Sequence, residues 1–277
     1  MRLAFSTLGC PNYTLQQAIE AAKQYGYEGI SLRTIRGESY LPDLEEFSPR
    51  NIARTARLIR QAGLSVPCVM SGVRFTSPDP AEREKQRKDA EAYIDIAHAL
   101  GSPSIRVFGG PIPQGQNEEE TMGWIVDGIR GTCDLASRRG ILVLLETHDS
   151  FSTGTRARKL LEAVSHPSLA IAWDFLHSCR FGESLESSWQ QIGRWVKDVH
   201  VKDSSRYSAD GFDLKLPGEG TLPIPEAMTI LHRNGYDGWL TFEWEKAWNP
   251  EIEEPEVALP HFIAYMKRYN SELQMAH

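Results

Sequence analysis

Cysteine is scarce in this chain. Four are spread over 277 residues, at Cys10, Cys68, Cys133 and Cys179, with no CxxC pair among them. That spacing excludes a disulfide framework and a thiolate metal cluster, and it fits buried free thiols in a reducing compartment. Long apolar runs are missing too: none approaches the ~18 residues of a membrane helix. The opening MRLAFSTLGC is cut short by Pro11 and Asn12, so it reads as a first strand and not as a signal peptide. A cytoplasmic location and no membrane partner are expected. Positive charge is in deficit, with a formal net charge of -7, which argues against a nucleic-acid-binding face. No low-complexity segment, linker or tandem repeat divides the chain. The charge-rich run REKQRKDAE reads as a solvated helix face.

What is present is alternation. Strand-like runs (Leu3 to Leu8, GISLR, SVPCVMSG, SIRVFGG, ILVLLE, LAIAWD, VKDVHVKD and WLTFEWE) are separated by amphipathic stretches. Thr14 is placed to cap the first helix and Gly26 to end it. Further helices are expected over 49–62, 80–100, 118–139, 157–164, 189–195, 225–234 and 257–269. Eight βα units imply parallel strands with helical crossovers. In ~270 residues they fit a closed α/β barrel, the (β/α)8 TIM barrel, as a single domain over 1–277.

In such a barrel the reacting groups stand at the C-terminal ends of the strands. The fifth strand ends in Glu146, the sixth in Asp174, the seventh in His200 and the eighth in Glu243. A lone Asp at a strand end is often a helix N-cap. Four such residues on successive strands are not explained by capping. Three carboxylates meeting at one mouth repel unless a cation lies between them. Three carboxylate oxygens and one imidazole nitrogen suit one divalent ion: Mn²⁺ first, with Mg²⁺, Co²⁺ or Zn²⁺ open.

Through LLETH, AIAWDFLHS, DVHVKDS, PGEGTLP and GYDGWLTFEWE the sequence resembles the xylose-isomerase-like barrel superfamily of sugar isomerases, epimerases and related dehydratases. The resemblance runs over nearly the whole chain and implies that Glu146, Asp174, His200 and Glu243 are the metal ligands. In the ketose 3-epimerase branch a His three after the Asp and an Arg six after the metal His contact the sugar, positions held here by His177 and Arg206. That branch also has a second Glu six residues after the first ligand, where this chain has Ser152. The ETH pattern, with His148, is more similar to branches that dehydrate keto acids or keto-cyclitols. Nucleases with this barrel bind three zinc ions and need histidines on strands three and four. VMSG and VFGG supply none.

The expected chemistry is proton abstraction beside a metal-held carbonyl, through an enediolate. By resemblance Glu146 and Glu243 carry protons in a sugar or keto-sugar isomerase or epimerase, which is the first reading. The alternative is a carbon–oxygen lyase, acting on a 3-keto sugar, keto-cyclitol or dehydroshikimate-like acid, with His148 as acid/base. Side chains alternate along a strand, so His148 is expected to face the way Glu146 does, as catalyst or as a partner that orients a ligand. Lys202, two after His200, either holds a substrate oxygen or pairs with a carboxylate. Trp173, Trp244 and Trp248 lie beside these residues in sequence and either stack on a sugar or pack. The expected partner is a small carbohydrate or keto-sugar, with a homo-oligomer or a partner subunit left open. PGEG precedes no helix-opening phosphate motif, so no nucleotide is expected.

Overall fold

Caps and periodicities in the sequence become the corresponding elements in the structure, a computed structural model that describes residues 1–275. β1 (Arg2–Ser6) leads to α1 (Leu15–Tyr25), where Thr14 and Gln17 form a reciprocal capping box and Gly26 ends the helix at φ +88°. β2 (Gly29–Ser31), α2 (Ile52–Gln61), β3 (Val69–Met70), α3 (Pro80–Leu100), β4 (Ser104–Phe108) and α4 (Glu118–Ser137) follow. The second half holds β5 (Leu142–Glu146), α5 (Gly154–Val164), β6 (Leu169–Asp174), α6 (Phe175–Arg180), α7 (Leu185–Ile192) and β7 (Val196–Val201). After a hairpin, β8 (Asp203–Ser208) and β9 (Gly211–Lys215), come α8 (Ile224–Arg233), β10 (Trp239–Phe242) and α9 (Pro255–Met275).

Eight strands pair in parallel in the order β2-β1-β10-β7-β6-β5-β4-β3. The ends of that sheet meet at Leu32, which bridges Val69 and whose backbone bonds Cys68 and Met70 at 3.0 and 2.8 Å. The result is a TIM barrel. Along each strand alternate residues face inward: Cys68, Met70, Leu144, Ala170 and Ala172 fill the barrel below its mouth. The other set, including Ile105, Val107, Val143, Ile171, Trp173, Val199 and Phe242, packs against the helices.

Several expectations change, among them the helix expected over 189–195, which runs Leu185–Ile192 and ends in a 3-10 turn. β1 stops at Ser6, not Leu8, because the Ser6 hydroxyl accepts from Leu8 N and starts a 3-10 turn. The third strand is regular only at Val69–Met70, since Pro67 has no N–H for the ladder. The segment after the seventh strand, read as a loop, forms the antiparallel β8–β9 hairpin that turns at Ala209 and Asp210.

Candidate metal centre and active site

The pleat explains why four distant residues meet. Glu146 ends β5 on the face of Leu144, and Asp174 ends β6 on the face of Ala170 and Ala172. The β6–β7 register slips between Ile171 and Ala172, which sets Asp174 opposite His200. His200 pairs in turn with Thr241, two residues before Glu243. One ligand atom from each of Glu146, Asp174, His200 and Glu243 lies within 4.8 Å of the others, and all four side chains are buried.

The hydrogen bonding supports a cation at this place. Glu146 Oε2, Asp174 Oδ2 and both His200 ring nitrogens are buried without a hydrogen-bond partner, a costly state for polar atoms that a bound ion relieves. Three oxygens and a nitrogen fit a divalent ion. His200 Nδ1 stands 3.4 Å from Glu243 and 3.7 Å from Glu146, while Nε2 is 3.9 Å from buried Asp198, itself bonded by Thr241 at 2.8 Å. Burial disfavours the His200 imidazolium, yet the Glu243 and Glu146 charges hold its pKa well above the usual range. Burial raises Asp174 to about 6 against the pull of Lys202. Glu243 is held well below its usual value: burial is outweighed by Lys202 and His200.

Lys202 pairs with carboxylates. Its Nζ lies 2.8 Å from Asp174, 2.7 Å from Glu243 and 2.5 Å from Glu245. His148 continues the extended geometry of β5 (φ -153°, ψ 161°) and turns to the same side as Glu146. Its ring packs on His177 at 4.3 Å and on Phe108 at 4.8 Å, with Nδ1 3.1 Å from Asp149. Burial works against the His148 imidazolium, but Asp149 and Glu146 hold its pKa above the usual value. His177 is the reverse: burial and then the neighbouring His148 push it well below. Its Nε2 is 3.5 Å from Asp174, and Phe212 of the hairpin packs edge-on at 5.8 Å.

Arg206 is not brought to this cluster. It stands on the exposed face of the hairpin, paired with Asp213 at 2.7 and 2.9 Å, because a bulge between Ser204 and Arg206 turns it outward from the barrel. Of the three tryptophans beside the site in sequence, Trp173 and Trp244 are fully buried and pack, while Trp248, at 55% exposure, presents its ring to solvent. Sequence reasoning missed Arg106, Arg33 and Glu245. Arg106 is buried in the middle of β4, its Nε 3.1 Å from Glu146. A charge at the centre of a buried strand, inward by alternation with Ser104, was the signal that could have found it.

Comparison with known proteins bears on the fold and the family. A 3-dehydroshikimate dehydratase of Bacillus anthracis is 28% identical over 195 residues, 69% of this chain and 66% of that protein. A 2-oxo-tetronate isomerase of Pectobacterium atrosepticum is 24% identical over 172 residues, 60% of this chain and 63% of that protein. The chain thus spans just under two thirds of each. The crystal structure of the IOLI protein with a bound zinc atom superposes with a TM-score of 0.80 at 19% identity, covering 98% of this chain and 97% of that one. Relatives include dehydratases, isomerases and epimerases. The family model described as xylose isomerase-like TIM barrel matches residues 19–269, and the chain belongs to that family.

Proposed function

We propose that this chain is a divalent-metal-dependent carbon–oxygen lyase that removes water from a substrate carrying a hydroxyl β to a carbonyl. The observation that carries this reading is the His148–His177 pair, rings 4.3 Å apart, on the same side as Glu146. Glu146, Asp174, His200 and Glu243 would hold a divalent ion, which would supply Lewis-acid polarisation of a carbonyl. The remaining work falls to side chains. Glu243, kept ionised by Lys202 and His200, accepts the proton from the carbon next to the carbonyl. The C–H electrons form a C=C bond as the β C–O bond breaks. His148, with Nδ1 turned to Asp149, gives a proton from Nε2 to the departing oxygen, which leaves as water. His177, kept neutral beside it, stays available as an acceptor for a substrate hydroxyl.

Epimerisation instead needs acid/base groups on both faces of one carbon. The position that carries a second Glu in the ketose 3-epimerase branch is Ser152, buried and bonded to Asp149 O at 2.8 Å. Isomerisation is the second reading, favoured by Glu146 and Glu243 lying in one cluster. The test incubates Mn²⁺-loaded protein in D₂O with 3-dehydroshikimate, a keto-inositol and free ketoses. Enone or aromatic absorbance with loss of water is expected for one of the first two. Deuterium incorporation or sugar interconversion without it would replace the lyase by the isomerase.

A further inference from the structure

The cluster and its lysine leave two guanidiniums unused on the β2–β4 side of the barrel mouth. Arg106 is 2% exposed, lies over the Phe108 ring at 4.0 Å, and has neither Nε nor Nη1 in a hydrogen bond. Its 3.1 Å approach to Glu146 Oε2 gives charge pairing, but the N–H does not point at the oxygen. Arg33 lies two residues beyond Ser31, on the inward side of the β2 pleat. Its Nη1 donates to Ser39 O at 3.0 Å, and the guanidinium lies 5.7 Å from the Trp248 ring centroid. The guanidinium lines a cavity of about 160 Å³ with Gly72, Ser39, Gln86 and Tyr93. Gly72 lines it beside the guanidinium, where a Cβ would meet Arg33 Nη2 at 3.9 Å, an ordinary contact. Asp89 also lines the cavity but is engaged by Tyr40 at 2.7 Å.

Glu146 balances buried Arg106, but Arg33, partly buried, makes no ion pair among the described residues, and a cation withdrawn from water is costly without an anion. Burial, and next the charge of Arg106, pull the Arg33 pKa down to about 10, so the two groups feel each other. A planar fork with free N–H groups is matched to a carboxylate or phosphate. The cavity has room for such a headgroup and not for a nucleotide.

We infer that the substrate of this site carries an anionic group, a carboxylate or a phosphate, and that Arg33 and Arg106 receive it while the reacting carbons face the Glu146–Glu243 cluster. This deepens the proposed function and rests on that cluster being the reaction centre.

The test reads binding, not turnover. Calorimetry on the Mn²⁺-loaded protein compares 3,4-dihydroxybenzoate with its carboxamide, and xylulose 5-phosphate with xylulose. The charged member of at least one pair is expected to bind about tenfold tighter. A preference in the first pair alone identifies a carboxylate, and in the second alone a phosphate. R33Q and R106Q are each expected to bring the ratio to within about threefold. R33K keeps the charge and is expected to keep most of the preference, which separates lost charge from lost folding. Equal binding of charged and neutral probes by the parent chain, or a preference that survives both Gln variants, would overturn the inference. Elimination on a keto-inositol without any charge preference would leave the lyase standing and remove only the anion. Charge preference without elimination on any substrate would do the reverse.

Discussion

Lys202 Nζ faces three carboxylates at 2.5 to 2.8 Å while being itself 1% exposed. Replacing it with Met leaves buried like charges uncompensated, a loss of about 3–5 kcal/mol when one partner of a buried pair is removed. Melting of chelator-treated K202M is therefore expected about 10 °C below the parent. Added Mn²⁺ is expected to recover part of that gap, and an unchanged melt would show that Lys202 carries no such burden. Glu243→Gln keeps the size and removes the base. Its kcat is expected to fall about 10²–10⁴-fold, with the circular dichroism unchanged. His148→Asn separates the two halves of the reaction: water loss is expected to drop about 10²-fold, while deuterium exchange beside the carbonyl falls far less. Equal loss of both would place His148 at the first proton transfer instead. These residues differ in how far the sequence revealed them. Glu146, Asp174, His200 and Glu243 announce themselves by ending successive strands. The ion pairing of Lys202 depends on Glu245, which lies on another strand's extension and carries no local signal.

At the scale of the element, the β8–β9 hairpin and the PGEG turn beyond it hang on one carboxylate. Asp203 accepts from the backbone N–H groups of Ser204, Gly218, Gly220 and Leu222. Any Cβ at Gly220 would collide with that carboxylate, so the glycine there is required by close approach. Asp203→Ala orphans several N–H groups at ~1–3 kcal/mol for each one left buried. Amide exchange over 211–222 is expected to accelerate at least tenfold, with β4, β5 and β6 staying protected. Uniform acceleration across the barrel would mean that the hairpin is not a separate unit. Helix boundaries were legible where caps are local, as at Thr14 and Gly26. The hairpin was not, because its pairing closes on side chains of a neighbouring turn and not on a hydrophobic alternation.

For the whole molecule, a ligand that binds only the folded barrel stabilises it by about 2.7 kcal/mol at a hundredfold excess over Kd. A rise of about 5–10 °C in Tm on adding Mn²⁺ is expected, and Asp174→Asn is expected to abolish it. No response in the parent chain would remove the metal from the site. The sequence by itself determined the eight βα units, the inward and outward alternation of each strand, and the strand ends at which Glu146, Asp174, His200 and Glu243 stand. Those are properties of spacing along one segment, set by the 2.0 and 3.6 residue periods. The tertiary structure alone decided which charges share a dielectric pocket. It turned Arg206 to solvent, gave Lys202 to three carboxylates, set His148 against His177, and left Arg33 and Arg106 at the mouth. Barrel closure and strand register bring those groups together across the chain, and their energies depend on distance and burial, neither of which is written in any single segment.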